Sequence, residues 1–135
     1  MSKLSVDGGA VILEVEDIDG ETLGVLKFRP SDPKFLERFI ETQKFLDDLP
    51  SPDDFGVEEI IQLNRTVSEK FDYLLGHKIS NTILDKCGAL SLCADGKFFC
   101  VHLLEGIGQF IKDETEARAR KTMEQVEAAT AEYNE

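Results

Sequence analysis

Val11-Ile12-Leu13-Glu14-Val15-Glu16-Asp17-Ile18-Asp19-Gly20-Glu21-Thr22-Leu23-Gly24-Val25-Leu26-Lys27-Phe28 is the stretch that separates an α+β chain from an all-helical one. Val11, Leu13 and Val15 alternate with Ile12, Glu14 and Glu16, and a second apolar run follows Asp19-Gly20. A two-residue Asp-Gly loop suits a type I′ turn, because both central residues need positive φ and this pair tolerates it. Setting Ile18 opposite Glu21 places Val15 against Gly24, Leu13 against Leu26 and Val11 against Phe28 on one face, the predicted core face. Glu14 and Glu16 share the other face with Leu23, Val25 and Lys27, which leaves Ile12, Ile18, Leu23 and Val25 to solvent or to a partner. A slip of one residue would reverse both assignments. Because a lone hairpin is marginal in water, the core face needs a cover.

Downstream, Arg29-Pro30-Ser31-Asp32-Pro33 stops the strand and starts a helix, with Asp32 as cap and Pro33 at the first helical position. Phe35, Leu36, Phe39, Ile40, Gln43 and Leu46 then follow the spacing of one helical face, the natural cover for the hairpin. Asp47-Asp48-Leu49-Pro50-Ser51-Pro52-Asp53-Asp54-Phe55-Gly56 reads as an acidic surface loop, with Phe55 tucked onto the core. A second helix runs from Val57 to Leu75, with Val57, Ile60, Ile61, Asn64, Val67, Phe71, Leu74 and Leu75 inward and Gly76 as a left-handed cap. Asn64 reads as a boundary position or as a buried amide satisfied by backbone, and not as a ligand.

A short helix capped by Ser80 ends at Gly88, a loop closes on Asp95-Gly96, and a last helix begins near Lys97. From Phe98 to Ile111 that helix is apolar almost all round, as expected of a central element, with Gly106 and Gly108 allowing another backbone to approach. Beyond Lys112 the helical pattern persists while the apolar face thins to Ala117, Met123, Val126 and alanines among charges. Glu114 with Arg118, and Glu116 with Arg120, stand four apart with the acid first, the favourable order. The predicted architecture is therefore α+β: an N-terminal antiparallel hairpin packed on a bundle of about four helices, with a long C-terminal helix. Residues 1–112 form the globular domain (hairpin 11–28, helices about 33–47, 57–75, 80–87 and 97–112) and 113–135 a charged tail, helical or disordered.

The charge is −12, and residues 1–59 carry 15 acids against 6 bases. Such a field repels phosphates, which argues against nucleic-acid binding, and no run of 18 apolar residues or signal peptide is present, so a cytoplasmic protein without membrane attachment is expected. Three cysteines without an export signal argue for reduced thiols. Cys87, Cys93, Cys100 and His102 offer four soft or borderline ligands, but their spacing misses the C-x2-C knuckle of a structural zinc; they read as small buried thiols rather than a metal site. Neither His77 nor His102 sits in a recognisable constellation with a nucleophile, and no phosphate-binding or hydrolase motif is present. No enzyme activity, metal or cofactor is expected.

Phe71-Asp72-Tyr73-Leu74-Leu75-Gly76, followed by Ser80, Ile83-Leu84, the Cys87-Gly88 turn, Phe98-Phe99 and a charged C-terminal helix, resembles a family of small proteins encoded in the tail-gene clusters of long-tailed bacteriophages, near the tail assembly chaperones. The resemblance covers roughly residues 55–125. In that family the helix closes on Phe-Asp-x-x-Phe-Gly; here Leu75 stands where Phe is usual. The resemblance implies a non-enzymatic chaperone in the host cytoplasm that keeps tape-measure or tail-tube protein soluble before the tube polymerises. Partner-binding residues would be Ile12, Ile18, Leu23 and Val25 on the hairpin and Ala117, Met123 and Val126 on the tail; a homo-oligomer is compatible with the sequence, which does not set the oligomeric state. The rival is an acidic inhibitor, of anti-defence or nucleic-acid-mimic type, that presents Asp47, Asp48, Asp53 and Asp54 to a basic protein.

Overall fold

The computed structural model describes residues 1–133. Strands β1 (Val11–Glu16) and β2 (Thr22–Phe28) form an antiparallel hairpin, followed by α1 (Pro33–Asp47), a single 3-10 turn (Pro52–Asp54), α2 (Val57–Leu75), α3 (Ile83–Lys86) and α4 (Phe99–Tyr133). The α+β class and the order hairpin, helices, long last helix are as the sequence predicts.

Strand register is also as predicted, with Val11 opposite Phe28, Leu13 opposite Leu26 and Val15 opposite Gly24, but the turn that produces it is different. Asp17 N–H donates to the Glu21 carbonyl at 2.8 Å and Gly20 N–H to the Asp17 carbonyl at 2.9 Å, so the loop has three residues, Ile18-Asp19-Gly20. Gly20 alone takes positive φ (+88°); Asp19 does not, which excludes the type I′ turn. The extra loop residue offsets the pairing by one, and a bulge between Val15 and Glu16 restores it, since Glu16 lies opposite Thr22. Leu23 is the surplus residue. The bulge swings it inward, where it is only 3% exposed in the core, so its assignment to the outer, partner-binding face is wrong.

Asp32 caps α1 as predicted, its carboxylate accepting from Lys34 N–H at 3.0 Å. Phe35 stacks on Phe28 with ring centroids 5.0 Å apart, yet α1 lies chiefly against α2, and β2 is covered by α2 and α3 instead. Phe110 of α4 completes the cover, meeting Phe28 edge-on at 5.8 Å. The close approach of α3 is made at Gly24, where an added Cβ would lie 2.8 Å from Ile83 Cγ1.

Gly76 closes α2 with φ +72° as predicted. Three residues before the end of that helix, Asp72 ties down the next segment: its carboxylate accepts from Ile79 N–H (2.8 Å), Ser80 N–H (3.0 Å) and the Ser80 hydroxyl (2.6 Å). Ser80 is thus engaged by Asp72 and does not cap α3, which shortens to Ile83–Lys86 behind Thr82. Asn64 accepts from Leu90 N–H at 3.1 Å, the backbone-satisfied amide the sequence implied. The core is centred on Val67, Phe71, Leu74, Ile79, Ile83 and Ile107, each at most 2% exposed and each contributing about 2 kcal/mol of transfer free energy.

Three expectations about packing fail. Val57, Ile60 and Ile61 are exposed, whereas Val67, Phe71, Leu74 and Leu75 further along the same helix are buried, so only the later turns of α2 are covered. Gly106 faces open space and Gly108 meets the ring of Phe39 rather than another backbone. Phe55 is half-buried and takes no part in the core cluster.

Candidate protein-binding site

α4 is one unbroken helix that belongs to two environments. Its first turns bury Cys100, Leu103, Leu104 and Ile107, and contact with the body ends near Arg118, whose Nη2 donates to the Gly9 carbonyl at 3.2 Å while Nε pairs with Glu114 at 3.7 Å. From Ala119 through Ala131 every side chain is exposed. The predicted tail is therefore a helical continuation of α4; Asn134 and Glu135 lie outside the described residues. A charged helix of this length is marginal alone, but here it grows from a packed one and needs no nucleus of its own.

On this projecting part Met123 is 58% and Val126 53% exposed, and Ala117 is also exposed. Ala119, Met123, Val126 and Thr130 fall at intervals of four, three and four, which aligns them in one stripe. Ala117 lies off that line. At 100° per residue the stripe is about a third of a turn from the face α4 gives to the core, so it is not a frayed extension of the core face. Arg120 and Glu127 flank it on the side away from the body, and neither forms an ion pair among the described residues.

On the hairpin, Ile12 (69% exposed), Ile18 at the loop tip and Val25 are open to solvent, whereas Leu23 is lost to the core. Ile12 and Val25 are near neighbours on the outer face, since Ile12 pairs with Lys27 and Glu14 with Val25. Asp47, Asp48, Asp53 and Asp54 are all exposed, spread over the end of α1 and the 3-10 turn, and no cation lies within ion-pair distance of them among the described residues.

The thiols and histidines are occupied in ordinary ways. Cys100 is buried, and burial pushes its thiol up to about 11; Cys93 is raised as well, by burial and then by the Asp95 carboxylate. Among the described residues no three His, Cys, Asp or Glu side chains converge to hold a metal ion. His102 Nε2 lies 2.9 Å from Asp95, whose carboxyl is held below its usual range by that bond and by Lys97 N–H, and the contact clamps the Cys93–Gly96 turn onto the start of α4. His77 Nε2 accepts from Lys27 N–H at 3.2 Å and so closes the outer edge of β2.

Two features escaped the sequence reading. One is the exposed trio Val57, Ile60 and Ile61. The other is a cleft of about 670 Å3 lined by Lys27, Arg29, Lys34, Arg38 and His77, basic on an acidic protein. Its signal was available, because four of the six bases before residue 60 fall between Lys27 and Arg38. Arg38 is nevertheless committed to Tyr73, donating to its carbonyl at 3.1 Å and lying 4.5 Å over its ring, and Arg29 packs against Gly8. The cleft is stitched mainly to its own walls.

No helix among the described residues is long and apolar enough to cross a membrane. No protein-family model, curated protein or solved structure matches the chain.

Proposed function

We propose that this protein is a non-enzymatic chaperone of tail assembly in a long-tailed bacteriophage, acting in the host cytoplasm on tape-measure protein, tail-tube protein or both. The observation that carries the proposal is the projecting half of α4, a preformed helix with Met123 and Val126 exposed on a body of net charge −12. Such a stripe lays against an amphipathic client helix, as helix-in-groove partners do, and the surplus charge keeps the complex dispersed. The Phe71–Gly76 closure, a glycine-capped helix end whose Asp72 holds Ile79 and Ser80, is one of the motifs, within roughly residues 55–125, on which the resemblance to the tail-cluster family rests. Ile12, Ile18 and Val25 offer a second, weaker apolar contact.

Co-expression with tape-measure and tail-tube proteins, with and without residues 113–135, tests this directly. The intact chain is expected to hold the client soluble and the truncated chain to lose it; equal solubility with both would refute the proposal. The acidic inhibitor has one specific observation in its favour, the four exposed carboxylates of Asp47, Asp48, Asp53 and Asp54, none of which forms an ion pair among the described residues. Capture of a basic, nucleic-acid-binding protein that is lost when these four become Asn, and unaffected by the truncation, would establish that alternative instead.

A further inference from the structure

We propose that the projecting part of α4 pairs with the same segment of a second copy of this chain, antiparallel, to form a two-fold dimer. The stripe Ala119, Met123, Val126 and Thr130 has the spacing of a coiled-coil seam. Run against itself head to tail, it makes four layers: Met123 on Val126 of the second copy and Ala119 on Thr130, each occurring twice by symmetry. Small uncharged Thr122 and Ala129 line the side of the seam nearer the body, which lets the helices approach closely.

Charge selects the orientation. Bases are concentrated at Arg118, Arg120 and Lys121, and acids follow at Glu124 and Glu127. In the antiparallel register Arg120 of each copy lies beside Glu127 of the other, giving two flanking pairs, and the basic end of one helix overlies the acidic end of its neighbour. A parallel pair would set Arg120 beside Thr115 and Glu127 beside Thr122 and would align like charges along the whole seam. The pattern is self-complementary in one orientation only. Since Arg120 and Glu127 form no ion pair among the described residues, pairing across the seam breaks nothing there. The helix is already formed, so association does not have to order it.

Four layers place the interface at the small end of specific contacts, with a dissociation constant expected between about 10 and 1000 μM. The dimer covers the same stripe that a client helix would use, so a client competes with self-association. The inference nevertheless stands on the seam and its charges and does not rest on the chaperone proposal.

Sedimentation equilibrium of the full chain up to about 1 mM tests it. The intact protein is expected to show a monomer–dimer equilibrium that Met123→Glu abolishes. Arg120→Glu and Glu127→Arg are each expected to weaken the dimer by about tenfold, and the double exchange to restore it to within about threefold, because only the antiparallel register brings these two positions together. All these side chains are solvent-exposed in the monomer, so circular dichroism and thermal unfolding should be unchanged and a folding defect is excluded by measurement. A monomer throughout, a dimer indifferent to Met123→Glu, or a double exchange that fails to restore would each overturn the proposal. Client capture by a chain that stays monomeric would overturn the dimer and leave the chaperone standing.

Discussion

Gly24→Ala should be the most costly single methyl group that can be added to this protein. An ideal Cβ at Gly24 would lie 2.8 Å from Ile83 Cγ1 and 3.3 Å from Thr82 Cβ, against about 3.5–4.0 Å for carbons in contact, so either Ile83 shifts by about 1 Å or α3 lifts off β2. Ile83 is fully buried and has nowhere to go. Overpacking of this kind costs about 1–3 kcal/mol, and the backbone at φ +157° adds about 1 kcal/mol for any residue with a side chain, which gives about 3 kcal/mol in total. Ile83→Ala alone should cost about 3 kcal/mol through the cavity it leaves. In the double variant the new methyl occupies space vacated by Cγ1, so the pair should cost about 4 kcal/mol rather than the additive 6, a coupling of about 2 kcal/mol in the range known for touching residues. Urea unfolding followed by circular dichroism, with linear extrapolation and a constant slope, measures all three values. Strict additivity, or a Gly24→Ala cost below about 1 kcal/mol, would show that the α3–β2 contact is not as tight as described.

Asp72→Ala should destabilise by about 3 kcal/mol, because it strands the N–H groups of Ile79 and Ser80 and the Ser80 hydroxyl; Asp72→Asn, which retains the acceptor facing both N–H groups, should cost about half as much in the same urea assay. Leu23→Ser should cost about 3 kcal/mol while Ile12→Ser stays within about 0.5 kcal/mol, and equal shifts of the thermal midpoint would refute the bulge as the reason Leu23 is buried. Burial raises the Cys100 thiol, so the native state keeps its proton where the unfolded chain ionises; this contribution is complete below about pH 9 and is lost as the pH rises toward 11, by about 2 kcal/mol. Stability of Cys100→Ala should fall less over that interval, and parallel profiles for the two proteins would contradict the assignment.

Local signals in the sequence were strong wherever one residue type had one use. Asp32-Pro33 and Gly76 mark the ends of α1 and α2 because a cap carboxylate, a missing N–H and a left-handed φ each have few other places to go. The strand register was legible because Val11, Leu13, Leu26 and Phe28 must share a face. Leu23 was not legible, since a bulge breaks the period-two rule at the residue it displaces, and nothing in the composition distinguishes a two-residue turn from a three-residue loop plus a bulge. Ser80 is a good cap by type, yet its partner Asp72 lies eight residues upstream and outcompetes α3 for it. Val57, Ile60 and Ile61 satisfy helical periodicity perfectly well; whether a periodic face is covered depends on where neighbouring helices end. The stripe on α4 was partly visible as Met123 and Val126, but its separation from the core face required the helix to be continuous through Arg118.

The hairpin also carries a rule about chain length. Between Asp17 and Gly24 it holds two offsets of opposite sense, one in the loop and one at Leu23, that cancel before β2 reaches Leu26. Pairing partners, and not the number of residues between them, therefore set the two faces. Deleting Leu23 should remove the bulge, leave a plain three-residue loop with Val15 still opposite Gly24, and cost only the apolar side chain that the bulge buries, whereas added residues at the exposed tip around Ile18 should lengthen the loop and leave both faces as they are.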